Sequence, residues 1–176
     1  MKNIIKKTIV IICTFLLLPI FTLVISIFSI LIIVIDGYNP FFLHDRRGHK
    51  NKTITIYKLQ TIKPRKTKAV ISDKEDDYAR MSWFSKFIRN HCLDDFPQIL
   101  NILKGDLTFI GPRPQPLANI EYMYKYNPEH KELIDEWVER RSKVIPGITG
   151  WRQINTTGPH YIRYELENLR DPSLGK

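Results

Sequence analysis

From Thr8 to Ile35 the chain reads "TIVIICTFLLLPIFTLVISIFSILIIVI", 28 residues without a formal charge. As a straight helix at about 1.5 Å per residue this run would reach roughly 42 Å, more than the hydrocarbon core of about 30 Å. A signal peptide has an apolar region of about 7–15 residues that ends at a small-residue cleavage site. This run is longer and ends in "DGYNP", so the pattern predicts a retained membrane element. Pro19 lies in its interior, where it removes a backbone hydrogen bond and costs a helix about 3 kcal/mol. Lys2, Lys6 and Lys7 precede the run, and Arg46, Arg47, Lys50 and Lys52 follow it. Neither flank is therefore favoured on the far side of a membrane. A helix bent near Pro19 that enters and leaves the same leaflet satisfies both flanks. A single tilted span satisfies the length.

The remaining pattern is shorter in period. Thr53 to Leu59 is rich in β-branched and aromatic residues, and "RRGHKNK" before it supplies a turn around Gly48. A small hairpin over residues 41–60 follows. "KPRKTKAVISDKEDDY" changes from positive to negative charge and reads as a mobile connection, its Asp73, Glu75, Asp76 and Asp77 more a solvated loop than metal ligands. In "YARMSWFSKFIRNH", Met81, Phe84, Phe87 and Ile88 recur at helical spacing. That stripe suits a core, and Trp83 and Phe84 among basic residues suit a lipid interface. His91 and Cys92 are adjacent, so on a helix they do not face one another and make no thiol dyad. Phe96, Ile99, Leu100 and Leu103 form another helical stripe, with Gly105 as its stop.

Charge narrows the partners. The formal net charge is +9 and the pI about 9.6, which points to an acidic partner: anionic lipid, phosphorylated substrate or nucleic acid. The basic residues are spread along the chain, and a 28-residue apolar run is out of place in a soluble nucleic-acid binder. No nucleic-acid partner is expected. Cys13 and Cys92 are the only cysteines, so no disulfide framework or thiolate metal site follows.

The chemistry concentrates in "LDDFPQILNILKGDLTFIGPRP", residues 93–114. Asp94 and Asp95 sit in the first turn or cap of the predicted helix, a role that capping alone would explain at about 1 kcal/mol. In "GPRP", however, Pro112 and Pro114 fix their own φ, and Pro114 drives Arg113 toward extended backbone. That pre-orients a guanidinium suited to bidentate phosphate binding. Two carboxylates can hold Mg2+, and a carboxylate is a competent nucleophile toward phosphorus. The combination is that of a phosphoryl-transfer site. A second punctuated stretch, "RRSKVIPGITGWRQIN", carries Arg140, Arg141, Lys143 and Arg152. Its "PGITG" either presents N–H groups to a phosphate or makes a plain turn.

"IYKLQTI", "LDDFPQILNILKGDLTFIGPRP" and "KVIPGITGWRQIN" together resemble the bacterial sugar transferases, the small monotopic phosphoglycosyl transferases, over roughly residues 8–160. The resemblance implies transfer of a sugar 1-phosphate from a UDP-sugar to polyprenyl (undecaprenyl) phosphate, which starts lipid-linked glycan assembly. It implies Asp94 as the nucleophile, Asp95 as its partner, and both as ligands of a Mg2+ cofactor. It implies Arg89 near lipid head groups, and Pro112, Arg113 and Pro114 on the nucleotide side. Arg152 and Gln153, within "KVIPGITGWRQIN", are further candidates toward substrate. It also implies a re-entrant N-terminal helix and a site on the cytoplasmic face of the bacterial plasma membrane.

Four positions depart from the family pattern. Leu18-Pro19 replaces a Ser-Pro break, Asp95 replaces a Glu, Gln60 stands for an Arg in the "YKFR" pattern, and "NTTG" puts Thr157 where an Arg is expected. Arg152, at a position usually small, offers a partial substitute. The expected architecture is a helix-dominated α+β protein. Residues 1–36 form the membrane helix, and residues 37–176 form a cytoplasmic transferase domain with a short β-hairpin. A catalytically silent, basic membrane protein that keeps the fold is the alternative.

Overall fold

A computed structural model of the chain describes residues 2–65 and 74–150. It begins with one helix, α1 (Lys2–Asp36), which runs through Pro19. Its stretch Ile11–Asp36 is long and apolar enough to cross a membrane and is only about 11% buried. A core helix of a soluble protein would be mostly buried, so the bare face calls for an apolar environment outside the protein.

The hairpin follows as expected. β1 (Phe41–Arg47) and β2 (Thr53–Leu59) pair antiparallel, with Phe41 opposite Leu59 and Arg47 opposite Thr53. A short β4 (Gln115–Pro116) adds to the other edge of β1, giving the order β2-β1-β4. Directly opposed residues share a face, so Phe42, His44 and Arg46 lie on the face of Lys58, Ile56 and Ile54. Ile54 and Ile56 are buried with Ile102 and Leu107. One further step of the same alternation brings Lys58 to the rim of that core.

The segment around residues 74–90 departs from the reading of a loop and one stripe. Lys74–Ala79 forms α2, with Asp76 and Asp77 paired to Arg65 and Arg80. Ser82 then caps α3 (Trp83–Asn90), its hydroxyl accepting from Ser85 N–H at 3.0 Å. Met81, Phe84 and Ile88 are buried as the stripe predicts, but Phe87 is exposed and packs beside His91. At 3.6 residues per turn Phe84 and Ile88 lie about 40° apart and share the face packed on Ile32 and Leu59, whereas Phe87 lies about 100° from Ile88 and off that face.

Phe84 and Ile88 join Ile32 of α1 and Leu59 of β2 in one cluster. Burial of each such side chain contributes about 1.5–3 kcal/mol. Phe28 meets Phe84 edge-on at 6.0 Å, Phe21 meets Phe96 at 4.9 Å, and Ser85 Oγ donates to Asp36 Oδ2 at 2.7 Å. The membrane-type helix is thus docked along the folded domain rather than tethered to its edge.

After α3 a six-residue 3₁₀ segment, Leu93–Gln98, leads into α4 (Ile99–Leu103). The predicted stop at Gly105 is met with φ +78, a left-handed conformation suited to glycine. Asn101 of α4 is fully buried; its side chain donates to Thr55 O at 2.8 Å and accepts from Tyr57 N–H at 3.2 Å. Those two bonds hold β2 against α4. β3 (Thr108–Ile110) pairs in parallel with β5 (Gly147–Thr149). Between them α5 (Leu117–Tyr126) and α6 (Lys131–Ser142) pack around Ile120 and the fully buried Trp137.

Candidate active site

The Asp94–Asp95 pair lies in the first turn of the 3₁₀ segment. Cys92, in a left-handed conformation with φ +55, precedes it, and Pro97 lacks the N–H that a regular α-helix would use. Pro97 and Gln98 are buried, which anchors the turn against β2. The two carboxylates end up in different surroundings. Asp94 lines a cavity of about 330 Å³. Asp95 lies just outside its lining, against Lys58 and Arg113 of the wall, and accepts from Gln98 Nε2 at 2.5 Å, with Arg113 Nη1 at 3.9 Å from its Oδ2.

Lys58 ties the pair together. Its Nζ lies 3.7 Å from Asp94 Oδ2 and forms an ion pair with Asp95 Oδ1. Burial pushes the Asp94 carboxyl above the ordinary aspartate value; Lys58 and Arg89 pull it down, and Asp95 pushes it up. Desolvation thus outweighs the cations, and a nucleophile in that state is less solvated than a surface carboxylate.

The cavity is strongly cationic. Arg46, Lys58, Lys63, Arg80, Arg89 and Arg113 line it, against Asp77 and Asp94. Its size falls at the lower end of the range for small-molecule clefts, about 300–1,000 Å³. Arg89 reaches it from α3 and donates to Thr61 Oγ1 at 3.3 Å. Gln60 also lines it and donates to Ile62 O, so the position where an arginine was expected is spent on the backbone.

Arg113 comes from a loop held at three successive carbonyls. Pro112 O accepts from Gly147 N–H at 3.1 Å, Arg113 O from Arg141, and Pro114 O from Arg46 Nη1 at 2.7 Å. "PGITG" is accordingly a structural element: its first glycine is spent on this loop and its Gly-Ile-Thr forms β5. A Cβ on Gly111 would come within 2.7 Å of Ile145 O, so the two loops meet backbone to backbone.

Of the residues singled out from the sequence, Asp94, Arg89 and Arg113 line one cavity, and Asp95 abuts it. Pro112 and Pro114 contribute carbonyls to the loop, and Pro114 also lines a small recess with Arg46 and Gln98. Arg152, Gln153 and Thr157 lie outside the described residues. Lys58 and Arg46 were not foreseen. The strand alternation from Ile54 through Ile56 to Lys58 carried a signal, but nothing local told where that face would point.

Among the described residues no group of three metal-type side chains occurs. Mg2+ is commonly held by one or two carboxylates together with water and phosphate oxygens. The Asp94–Asp95 donor set meets that minimal requirement.

A family model described as "Bacterial sugar transferase" matches residues 1–171. The UDP-glucose:undecaprenyl-phosphate glucose-1-phosphate transferase of Escherichia coli is 33% identical over 114 residues, covering 65% of this chain and 23% of that protein. The uncharacterized sugar transferase EpsL of Bacillus subtilis is 36% identical over 152 residues, covering 82% of this chain and 64% of that one. The UDP-N-acetylgalactosamine-undecaprenyl-phosphate N-acetylgalactosaminephosphotransferase of Aeromonas hydrophila is 28% identical, covering 85% of this chain and 34% of that protein. The chain therefore spans from about a quarter to under two thirds of the length of these relatives.

Proposed function

Because the chain belongs to the bacterial sugar transferase family, we propose that it transfers a sugar 1-phosphate from a UDP-sugar to polyprenyl phosphate. A carboxylate oxygen of Asp94 attacks the sugar-bearing phosphorus of the donor, and the bond to UMP breaks. An oxygen of polyprenyl phosphate then attacks the aspartyl-linked phosphorus and returns the carboxylate to Asp94. The observation that carries this reading is the cationic cavity lined by the buried Asp94. Asp95 keeps Lys58 and Arg113 close to the reacting carboxylate. Mg2+ would be held at Asp94 and Asp95, and would supply neutralisation of the donor pyrophosphate.

The reaction belongs at the cytoplasmic face of the membrane, with α1 entering and leaving one leaflet. Two observations support that geometry. Basic residues flank both ends of the apolar run. The helix is also packed on α3 and on the 3₁₀ segment through Phe28 and Phe21, so a perpendicular span would draw that polar domain into hydrocarbon. Single cysteines Asn3→Cys and Lys50→Cys, in a background lacking Cys13 and Cys92, test it with an impermeant reagent in intact cells. Matching accessibility is expected; opposite accessibility rules the geometry out.

Incubation with UDP-sugar alone should add the mass of one phospho-sugar to the protein, and Asp94→Asn should abolish both this adduct and turnover. Asp95→Asn should cripple turnover while leaving the nucleophile in place, whereas Asp95→Glu should be tolerated. A screen of UDP-sugars with undecaprenyl phosphate and Mg2+, scored by UMP release, names the donor. UMP release by a folded Asp94→Asn protein would sink the covalent mechanism. If no donor gives UMP with the wild-type chain, the silent alternative holds, and Gln60 in the cavity wall becomes its first explanation.

A further inference from the structure

Arg46 is half-buried on the hairpin face that carries Lys58. It lines both the main cavity and the small recess beside it. Its bonded partners are neutral: Nε donates to His44 Nδ1 at 3.2 Å and Nη1 to Pro114 O at 2.7 Å. No carboxylate of the described residues lies within 4.0 Å of it. Among the described residues two of its five N–H donors are thereby used, and the other three are open to a ligand at the cavity wall.

The surrounding charge makes this position costly when empty of anions. Burial and the neighbouring Arg113 bring the Arg46 guanidinium down to about 10, while Asp95 acts in the opposite direction. It stays protonated at neutral pH. At the dyad end of the cavity Arg46, Lys58, Arg89 and Arg113 face Asp94 and Asp95, so cations exceed carboxylates by two. A partly desolvated cation without a counter-ion is unfavourable, and a phosphate group supplies the missing charge. Guanidinium forks match its oxygens in pairs.

We propose that Arg46 is a direct phosphate ligand which, with Arg113, clamps one phosphate group beside Asp94. The clamp rests on the phosphoglycosyl-transfer reading above. The phosphate could belong to the nucleotide donor or to the lipid acceptor. Its hydrogen bond to Pro114 also sets the loop that carries Arg113, so one side chain both binds the anion and positions its second ligand.

Calorimetric titration of the full chain in detergent tests the assignment with UMP, uridine and farnesyl phosphate as probes. Arg46→Gln should weaken binding of a phosphate-bearing probe about 10- to 100-fold, in line with loss of a charged hydrogen bond. Uridine binding should be unchanged. Loss confined to UMP assigns the donor phosphate, loss confined to farnesyl phosphate assigns the acceptor, and loss on both assigns a shared position. Unchanged affinity for both phosphates overturns the proposal, as does an equal loss for uridine and UMP, which would make Arg46 purely structural. Arg46→Lys keeps the charge without the fork and should lose about a third to a half as many factors of ten in affinity, giving the same readout if Arg46→Gln fails to fold. Each probe binds without turnover, so failure of the covalent trap at Asp94 and failure of this clamp are separate results.

Discussion

Replacing Lys58 by Met removes the cation shared by Asp94 and Asp95 while nearly preserving side-chain length. In the wild-type protein Lys58 Nζ stands 3.7 Å from Asp94 Oδ2. At that separation and an effective dielectric near 20, the attraction is on the order of 4 kcal/mol before relaxation. Water entering the vacated space, and Arg89, which also favours the charged form, offset much of the loss. If about a third survives, ~1.4 kcal/mol remains, equal to one pKa unit. The direction is fixed: removing a cation raises the Asp94 pKa further, so the ionised nucleophile forms only at higher pH. The acid limb of the kcat/KM profile, followed by UMP release, should move up by about one pH unit. Below that limb the rate should fall about tenfold, with partial recovery in alkaline buffer. Lys58→Arg, which keeps the charge, should return the limb toward its wild-type position. A uniform loss at every pH, with the limb unmoved, would refute the argument that Lys58 governs Asp94 ionisation.

Stability should respond in the opposite sense to activity when Asp94 is changed. Its carboxyl is held above the ordinary value by burial, so its stabilising contribution is complete below the ordinary aspartate pKa. That contribution is lost as pH rises through the raised one. Asp94→Asn should therefore raise Tm at pH 7.5 and leave it little changed near pH 3.5; a lower Tm at pH 7.5 would contradict this. Gly147→Ala tests the contact between the two loops, since its Cβ would overlap the backbone of Gly111. Destabilisation of about 3 kcal/mol, a Tm drop of roughly 8 °C, is expected, and an unchanged Tm would show that the loops can separate at no cost.

Several features were local enough to be read from residue order. The apolar run specifies α1 because nothing charged interrupts it. The β-branched segment around Ile54 and Ile56, joined through a polar turn, specifies the hairpin, since both strands and their connection lie within 19 residues, Phe41 to Leu59. The stop of α4 at Gly105 and the dyad in a helical first turn likewise need only neighbours a few positions away. The resemblance carried by the dyad segment and "GPRP" also identified the family from sequence alone.

What tertiary structure decided is which of these parts meet. Lys58 reaches Asp94 across 36 positions of chain only because the Ile54–Ile56 face is buried and the 3₁₀ segment closes on its end. Arg46 becomes a cavity residue because register sets it opposite Ile54, while the same basic run also reads as a membrane flank. Arg113 is held by β1, α6 and β5 at once, three elements distant in sequence. Phe87 has the spacing of a core residue yet faces outward, since α1 and β2 cover only the face through Phe84 and Ile88. Side-chain periodicity determines that a face exists; the packing of one face on another determines where its charges go, and that depends on burial shared between distant segments.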